Sequence, residues 1–279
     1  MSKGNKEKNN SVKSVNNDNS KKRKALKTIN VDFWITALHG AEIGIRQQEQ
    51  WQSKSRAFSK DMEIIGDFSI NSQKMGFFAI REDEWKNNDR LVIRLFKEND
   101  KSLTWLSSIE ECVSLSLAHS LGANEILPSY LVIQGKGKEM FPLEKVNTKL
   151  LTQHKMGEVF VFFLEKKKGL VDILEFKEKR FTIGCDYEVN NHSTGEMIAF
   201  IDSKKFNIGG KVEIEIYDPT YAEIEEFINI IVVFAASLKY HDEINKKLES
   251  LMKEVKSGHP IKVSHHEMEL FRNPRRVRS

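Results

Sequence analysis

Cysteine is nearly absent: Cys112 and Cys185 are the two in 279 residues, and no Cys-x-x-Cys spacing joins them to each other or to a partner. That excludes a disulfide framework and a cysteine-based zinc site. No apolar run approaches the roughly 20 residues needed for a membrane-crossing helix. The longest, Phe227 to Leu238, is interrupted by Asn229. No secretory leader is legible, so the expectation is an intracellular protein, cytoplasmic or nucleoid/nuclear. Catalytic and cofactor motifs are missing as well. Gln134-Gly135-Lys136-Gly137-Lys138-Glu139 lacks a second glycine at the right spacing and the Lys-Ser/Thr of a phosphate loop. His265-His266-Glu267, with His259 nearby, has no zinc-ligand spacing, and His119 sits on an apolar stripe as a structural histidine does. The reading is therefore non-enzymatic, with no metal and no cofactor.

Charge is plentiful but segregated. Residues 1–28 carry nine Lys/Arg against Glu7 and Asp18, net +7, and residues 268–279 carry four Arg against Glu269, net +3. The body between them is net −6, so any affinity for polyanions is not advertised by its overall charge. The first 28 residues are rich in Lys, Asn and Ser and poor in apolar side chains, which predicts a disordered basic tail. Residues 259–279 read as a second flexible basic tail.

The chain is organised around Asp218–Tyr240. Asp218 is placed to cap a helix, Pro219 suits its first position, and Glu223, Glu225 and Glu226 favour the positive end of its dipole. Ile224, Phe227, Ile228, Ile231, Val232, Phe234, Ala235 and Leu238 surround it, which predicts a helix buried on most sides. Directly before it, Val212, Ile214 and Ile216 alternate with Glu213, Glu215 and Tyr217 as a half-buried strand. Beyond Tyr240, Ile244, Leu248, Leu251 and Val255 extend an amphipathic helix to about Ser257-Gly258.

Upstream, Val31, Phe33, Ile35 and Ala37 alternate, and Glu42–Gln48 alternates again after His39-Gly40, a hairpin signal. Residues 47–60 read as a long loop or an irregular strand extension, and three strand-like segments follow to Lys97. The period then becomes helical: Ser108 and Glu111 form a capping box, Ile109, Val113, Leu117 and Leu121 make a stripe, and Gly122 suits a helix end. The second half repeats the order, with two strands about Lys166-Lys167-Lys168-Gly169, further strands joined by His192-Ser193-Thr194-Gly195, then the long helix. The expected fold is α+β, two repeated antiparallel sheet-plus-helix units (ββββα twice), with halves at 29–135 and 158–258 joined by a connection at 136–157.

Alternation also picks out a candidate interface. Burying Leu91, Ile93 and Leu95 turns Arg90, Arg94 and Phe96 outward, and the same logic exposes Trp34 and Arg46. With Arg81 and with Lys177, Lys179, Arg180, Lys204 and Lys205 at strand ends and turns, these interleave aromatic faces with cations, as single-stranded nucleic acid binding requires. The bland reading stands beside it: exposed Lys and Arg solubilise sheets, and Trp34, Trp85 and Trp105 are equally at home in a core.

Two family resemblances follow. Residues 204–241, KKFNIGGKVEIEIYDPTYAEIEEFINIIVVFAASLKYH, resemble the last strand and long helix of the Whirly and PUR-alpha group. That resemblance implies single-stranded DNA or RNA binding with low sequence specificity and a homo-oligomer that covers its sheet edges. Residues 179–218 are similar instead to hairpins of the Tubby, LURP-one and phospholipid scramblase group. Phe181-x-Ile183-Gly184 leads there to a turn with Thr194-Gly195 and a further Phe206-x-Ile208-Gly209. This second resemblance implies a closed barrel threaded by a hydrophobic helix, binding lipid or a protein partner.

Overall fold

The computed structural model describes residues 23–34, 62–99, 102–135, 139–146, 157–167, 169–179, 185–203 and 210–272. Alternation builds its strands. β12 (Lys211–Ile216) buries Val212, Ile214 and Ile216 and turns Lys211, Glu213 and Glu215 outward, and β1 (Lys27–Phe33) buries Ile29, Val31 and Phe33 in the same rhythm. Between them in sequence lie β2 (Met62–Ile70), β3 (Gln73–Arg81), β4 (Val92–Asn99), β5 (Ser102–Glu111) and β6 (Ser129–Gln134). They are followed by β7 (Met140–Lys145), β8 (Val159–Lys167), β9 (Leu170–Glu178), β10 (Tyr187–Asn191) and β11 (Met197–Asp202). Each strand pairs antiparallel with its sequence neighbours, and β1 pairs with β12 in the register Lys27↔Ile216 to Asp32↔Lys211. The twelve strands thus close into one barrel.

Helices fill and flank it. They are α1 (Glu82–Asn88), α2 (Val113–Ala123), α3 (Pro219–Ala222), α4 (Glu225–Ser237), α5 (His241–Lys256) and α6 (His265–Arg272), with a 3-10 turn at Leu238–Tyr240. The Asp218 carboxylate accepts from the Thr220 and Tyr221 amides and Pro219 follows it, as the sequence predicts. The helix breaks once, at Ile224, before α4 begins. Every residue of α4 from Phe227 to Ser237 is buried. Phe234 stacks on Phe176 of β9 (4.0 Å between ring centres) and meets Phe160 of β8 and Tyr187 of β10 edge-on. On its other sides α4 packs against β1, β4, β5 and β6, so it occupies the barrel's interior. Its buried Asn229 is matched by Gln134 of β6, whose Oε1 accepts from Asn229 Nδ2 (3.3 Å) while its own amide donates to the Glu226 carbonyl.

The closed barrel corrects the expected fold of two ββββα units. β7 lies within the supposed connection and pairs with both β6 and β8, so no boundary divides the sheet. The capping box is corrected too: Ser108 and Glu111 belong to β5, and α2 starts only after Cys112, which offers no side-chain cap. Gly122 falls inside α2, which ends on Asn124 in the left-handed conformation. α1 has no counterpart in the sequence reading, and β1 starts inside the stretch predicted to be a disordered tail. The hairpin over 31–48 and the loop at 47–60 lie largely outside the described residues; Val31 and Phe33 belong to β1, which pairs with β2 and β12.

Candidate interaction surface

Among the described residues, α4 and the wall side chains pack together in the interior. The predicted strand-face residues do not form one open surface on the outside of the barrel. Arg46, Arg180, Lys204 and Lys205 lie outside the described residues. Trp34 is buried, 6% exposed, in an outer-face cluster with Met62, Ile64, Phe77 and Ala79, against which Phe96 packs. Its indole donates to Asp67 (2.8 Å), and Lys74 sits 4.3 Å above the neighbouring Phe77 ring. Arg94 faces outward as alternation requires, but it lies 5.5 Å from the Trp105 ring, and burial lowers its pKa. Trp34 and Phe77, both buried, offer no open ring for a base. Lys177 is half-buried, and the exposed Lys179 lies over Phe200 and 3.8 Å from Glu188.

Arg90 is furthest from the sequence reading. It is fully buried, donating to Glu84 (3.1 Å), Glu110 (3.0 Å) and the Glu111 carbonyl (2.8 Å), with Glu267 of α6 at 3.9 Å. Burial pushes the Glu110 carboxyl up, but the hydrogen bond from His266 and the charge of Arg90 outweigh it and hold the pKa at about 2. Arg81 forks onto Asp83 and donates to His266 Nδ1 (2.9 Å), which leaves the Nε2 proton to face Glu110 (3.1 Å). Glu267 accepts from the Ser114 amide (2.9 Å) and hydroxyl (2.5 Å), so α6 supplies the cap that Cys112 does not give α2. Lys247 of α5 joins the same assembly by gripping the buried Glu111 carboxylate (2.5 and 2.6 Å). This is an internal clamp tying α1, α5 and α6 to the wall. Alternation gave the right face for Arg90, but no local signal announces that helices distant in sequence cover it.

At the end of the barrel where α4 enters, a second polar group ties the β8–β9 hairpin to α3. Tyr221 donates to Asp172 and accepts from Asn191 (3.0 Å), while Lys166 lies 2.6 Å from Asp172 and 4.7 Å above the Tyr221 ring. Burial raises the Tyr221 pKa. Burial also works to raise Asp172, but the hydrogen bonds from Lys166 and Tyr221 prevail and lower it.

On the outer side of the same end of the hairpin stand Phe163, Leu170 and Val171, 46%, 63% and 58% exposed. The signal for them was present. Val159–Leu164 is apolar at every position, and a strand apolar on both faces of a wall must show one of them outside. A cleft of about 340 Å³ separates α1 from α5, walled by Trp85, Leu251, Asp89, Glu243, Glu254 and Lys247. Its lysine is already engaged by Glu111. Among the described residues no three His, Cys, Asp or Glu side chains gather as a metal site, and no helix is long and apolar enough to cross a membrane. No family model, no curated protein and no solved structure matches the chain.

Proposed function

We propose that the protein is a non-enzymatic binding barrel of the Tubby, LURP-one and scramblase kind, and that it recognises a lipid surface with its exterior. The observation that carries this reading is the helix inside the wall: every residue of α4 from Phe227 to Ser237 is buried among the wall side chains, which favours recognition by the exterior over a carried ligand or an enclosed reaction. The closed antiparallel barrel around a hydrophobic helix supports the same architecture. The single-stranded nucleic acid reading loses support because Trp34 and Arg90, two of its residues, are buried and already bonded. Closure also removes the free sheet edges that motivated a homo-oligomer.

The test is co-sedimentation of the full chain with vesicles of phosphatidylserine and phosphatidylcholine in equal parts, beside vesicles of phosphatidylcholine alone. Anisotropy of a labelled single-stranded oligonucleotide is run in parallel. Binding to the anionic vesicles supports the reading. Oligonucleotide binding without vesicle binding returns the case to a nucleic-acid partner, and binding to neither directs the search to a protein partner.

A further inference from the structure

Three of the seven large apolar side chains left exposed among the described residues belong to one hairpin, β8–β9. The register explains how they share a face. Leu164 and Leu174 point into the core, so Phe163, paired with Ile173, and Val171, paired with Glu165, point out of the barrel; Leu170 sits at the tip opposite Lys167. Elsewhere the outer face is dressed differently: β12 shows Lys211, Glu213 and Glu215, and β1 shows Thr28, Asn30 and Asp32. The tip sequence is Lys166-Lys167-Lys168-Gly169, with Gly169 in the left-handed region (φ +86°).

Of the hairpin's four acids, the two nearest the tip, Glu165 and Asp172, are engaged within the protein, as are Glu175 with His192 and Glu178 with the Glu158 amide. Glu165 accepts from the Gly169 amide (2.7 Å) and closes the turn, and Asp172 is held by Lys166 and Tyr221. What the hairpin shows outward is an apolar edge, and the sequence of its turn adds Lys167 and Lys168. Tyr221 donates to Asp172 and accepts from Asn191 of β10, which ties the tip end of the hairpin to α3.

We propose that the β8–β9 hairpin is the membrane-docking element, with Phe163, Leu170 and Val171 entering the headgroup and acyl boundary of an anionic bilayer and the lysine tip holding the anionic lipid surface. The inference rests on the lipid-surface reading above and names the element that carries it out. An apolar patch alone would suit a protein partner equally well. The lysine run at its tip is what complements a negatively charged leaflet, where basic and apolar contributions to binding add.

The experiment uses the full chain and the same two vesicle compositions. Phe163→Ser/Leu170→Ser/Val171→Ser should weaken binding to the anionic vesicles roughly 100-fold, since losing half-exposed apolar side chains removes burial worth about fivefold apiece. Lys167→Gln/Lys168→Gln should weaken it roughly tenfold or more and flatten its dependence on salt. In Leu170→Trp, indole emission should shift to the blue on adding anionic vesicles and stay unchanged with phosphatidylcholine alone. Melting curves of all variants check that the fold persists.

If the wild-type chain binds and the apolar triple variant binds equally well, the hairpin inference is overturned while the lipid-binding function stands. If the wild-type chain binds neither vesicle, the function itself fails and the inference with it. A dimer in light scattering that the triple variant abolishes would show that a second copy covers the hairpin, which also overturns the proposal.

Discussion

Replacing Phe234 by alanine tests the central claim of the fold, that α4 lies inside the barrel. The ring is 1% exposed, stacked nearly parallel on Phe176 with 5° between planes, and flanked by Phe160 and Tyr187. Truncating such a side chain costs about 3–5 kcal/mol, the transfer of the lost atoms plus the cavity they leave. In a domain of this size each kcal/mol lowers the melting temperature by about 2–4 °C, so the variant should melt roughly 6–20 °C below the parent. Phe234→Leu separates volume from stacking. If only volume matters the loss stays under about 1.5 kcal/mol, and each aromatic pair lost adds about 0.5–1.5 kcal/mol. Phe271, 55% exposed on α6, is the control, and its alanine variant should stay within about 0.5 kcal/mol of the parent. The assay is thermal unfolding followed by circular dichroism. Phe234→Ala melting with the Phe271→Ala control would refute the placement of α4 in the interior.

Three other outcomes follow from the polar clamp and the barrel ends. Arg90→Ala should cost about 3–5 kcal/mol by leaving Glu84, Glu110 and Glu267 unpaired, measured by urea unfolding, while Arg90→Met should cost more in the parent than in a Glu110→Gln background. Glu267→Ala should loosen the first turn of α2 by about 0.5–2 kcal/mol, read as faster amide exchange at Ser114 although the two residues are far apart in sequence. Acid should destabilise the fold: Glu110 and Glu158 both titrate at about 2 against an ordinary 4.5, the latter because the hydrogen bond from His241 and the charges of His241 and Lys145 outweigh its burial. A depressed carboxylate contributes stability that is full above pH 4.5 and is lost as pH falls toward 2, so the midpoint in urea should drop across that window and Glu158→Gln should make the drop shallower.

The innermost element was the most legible part of the chain. Asp218 and Pro219 mark a helix start by local chemistry, and Phe227–Leu238 shows no polar stripe, so its burial follows from the sequence alone. Closure was not legible, because the pairing of Lys27 with Ile216 is set by how many strands fit around α4, and neither strand carries a mark of the other. Ser108-x-x-Glu111 imitates a helix cap because its polar residues are buried by other elements: Glu110 meets Arg90 and His266, and Glu111, the last residue of β5, meets Lys247. Alternation assigned Arg90 and Arg94 to the outer face correctly. It has no term for the helices laid over that face, which is why accessible cations were expected where a clamp was found. The β8–β9 hairpin was read as a turn for its Lys-Lys-Lys-Gly tip, yet the doubled apolar face of Val159–Leu164 beside it was the stronger message.

The pairing of β1 with β12 also orders events in time. A chain made from its N-terminus reaches β11 with an open sheet: β1 has no partner on one side, the concave face is apolar, and the helix that will fill it has not yet been synthesised. No earlier stopping point gives a finished sheet, since both lateral edges persist until residues 211–216 arrive and the interior stays hollow until residues 225–237 follow. Completion is therefore a single late step, and the pairing of the chain's distant ends makes it slow. During that interval the unfinished wall can pair with another nascent chain. The vulnerable stage for this protein is its birth, before residues 211–237 have been delivered.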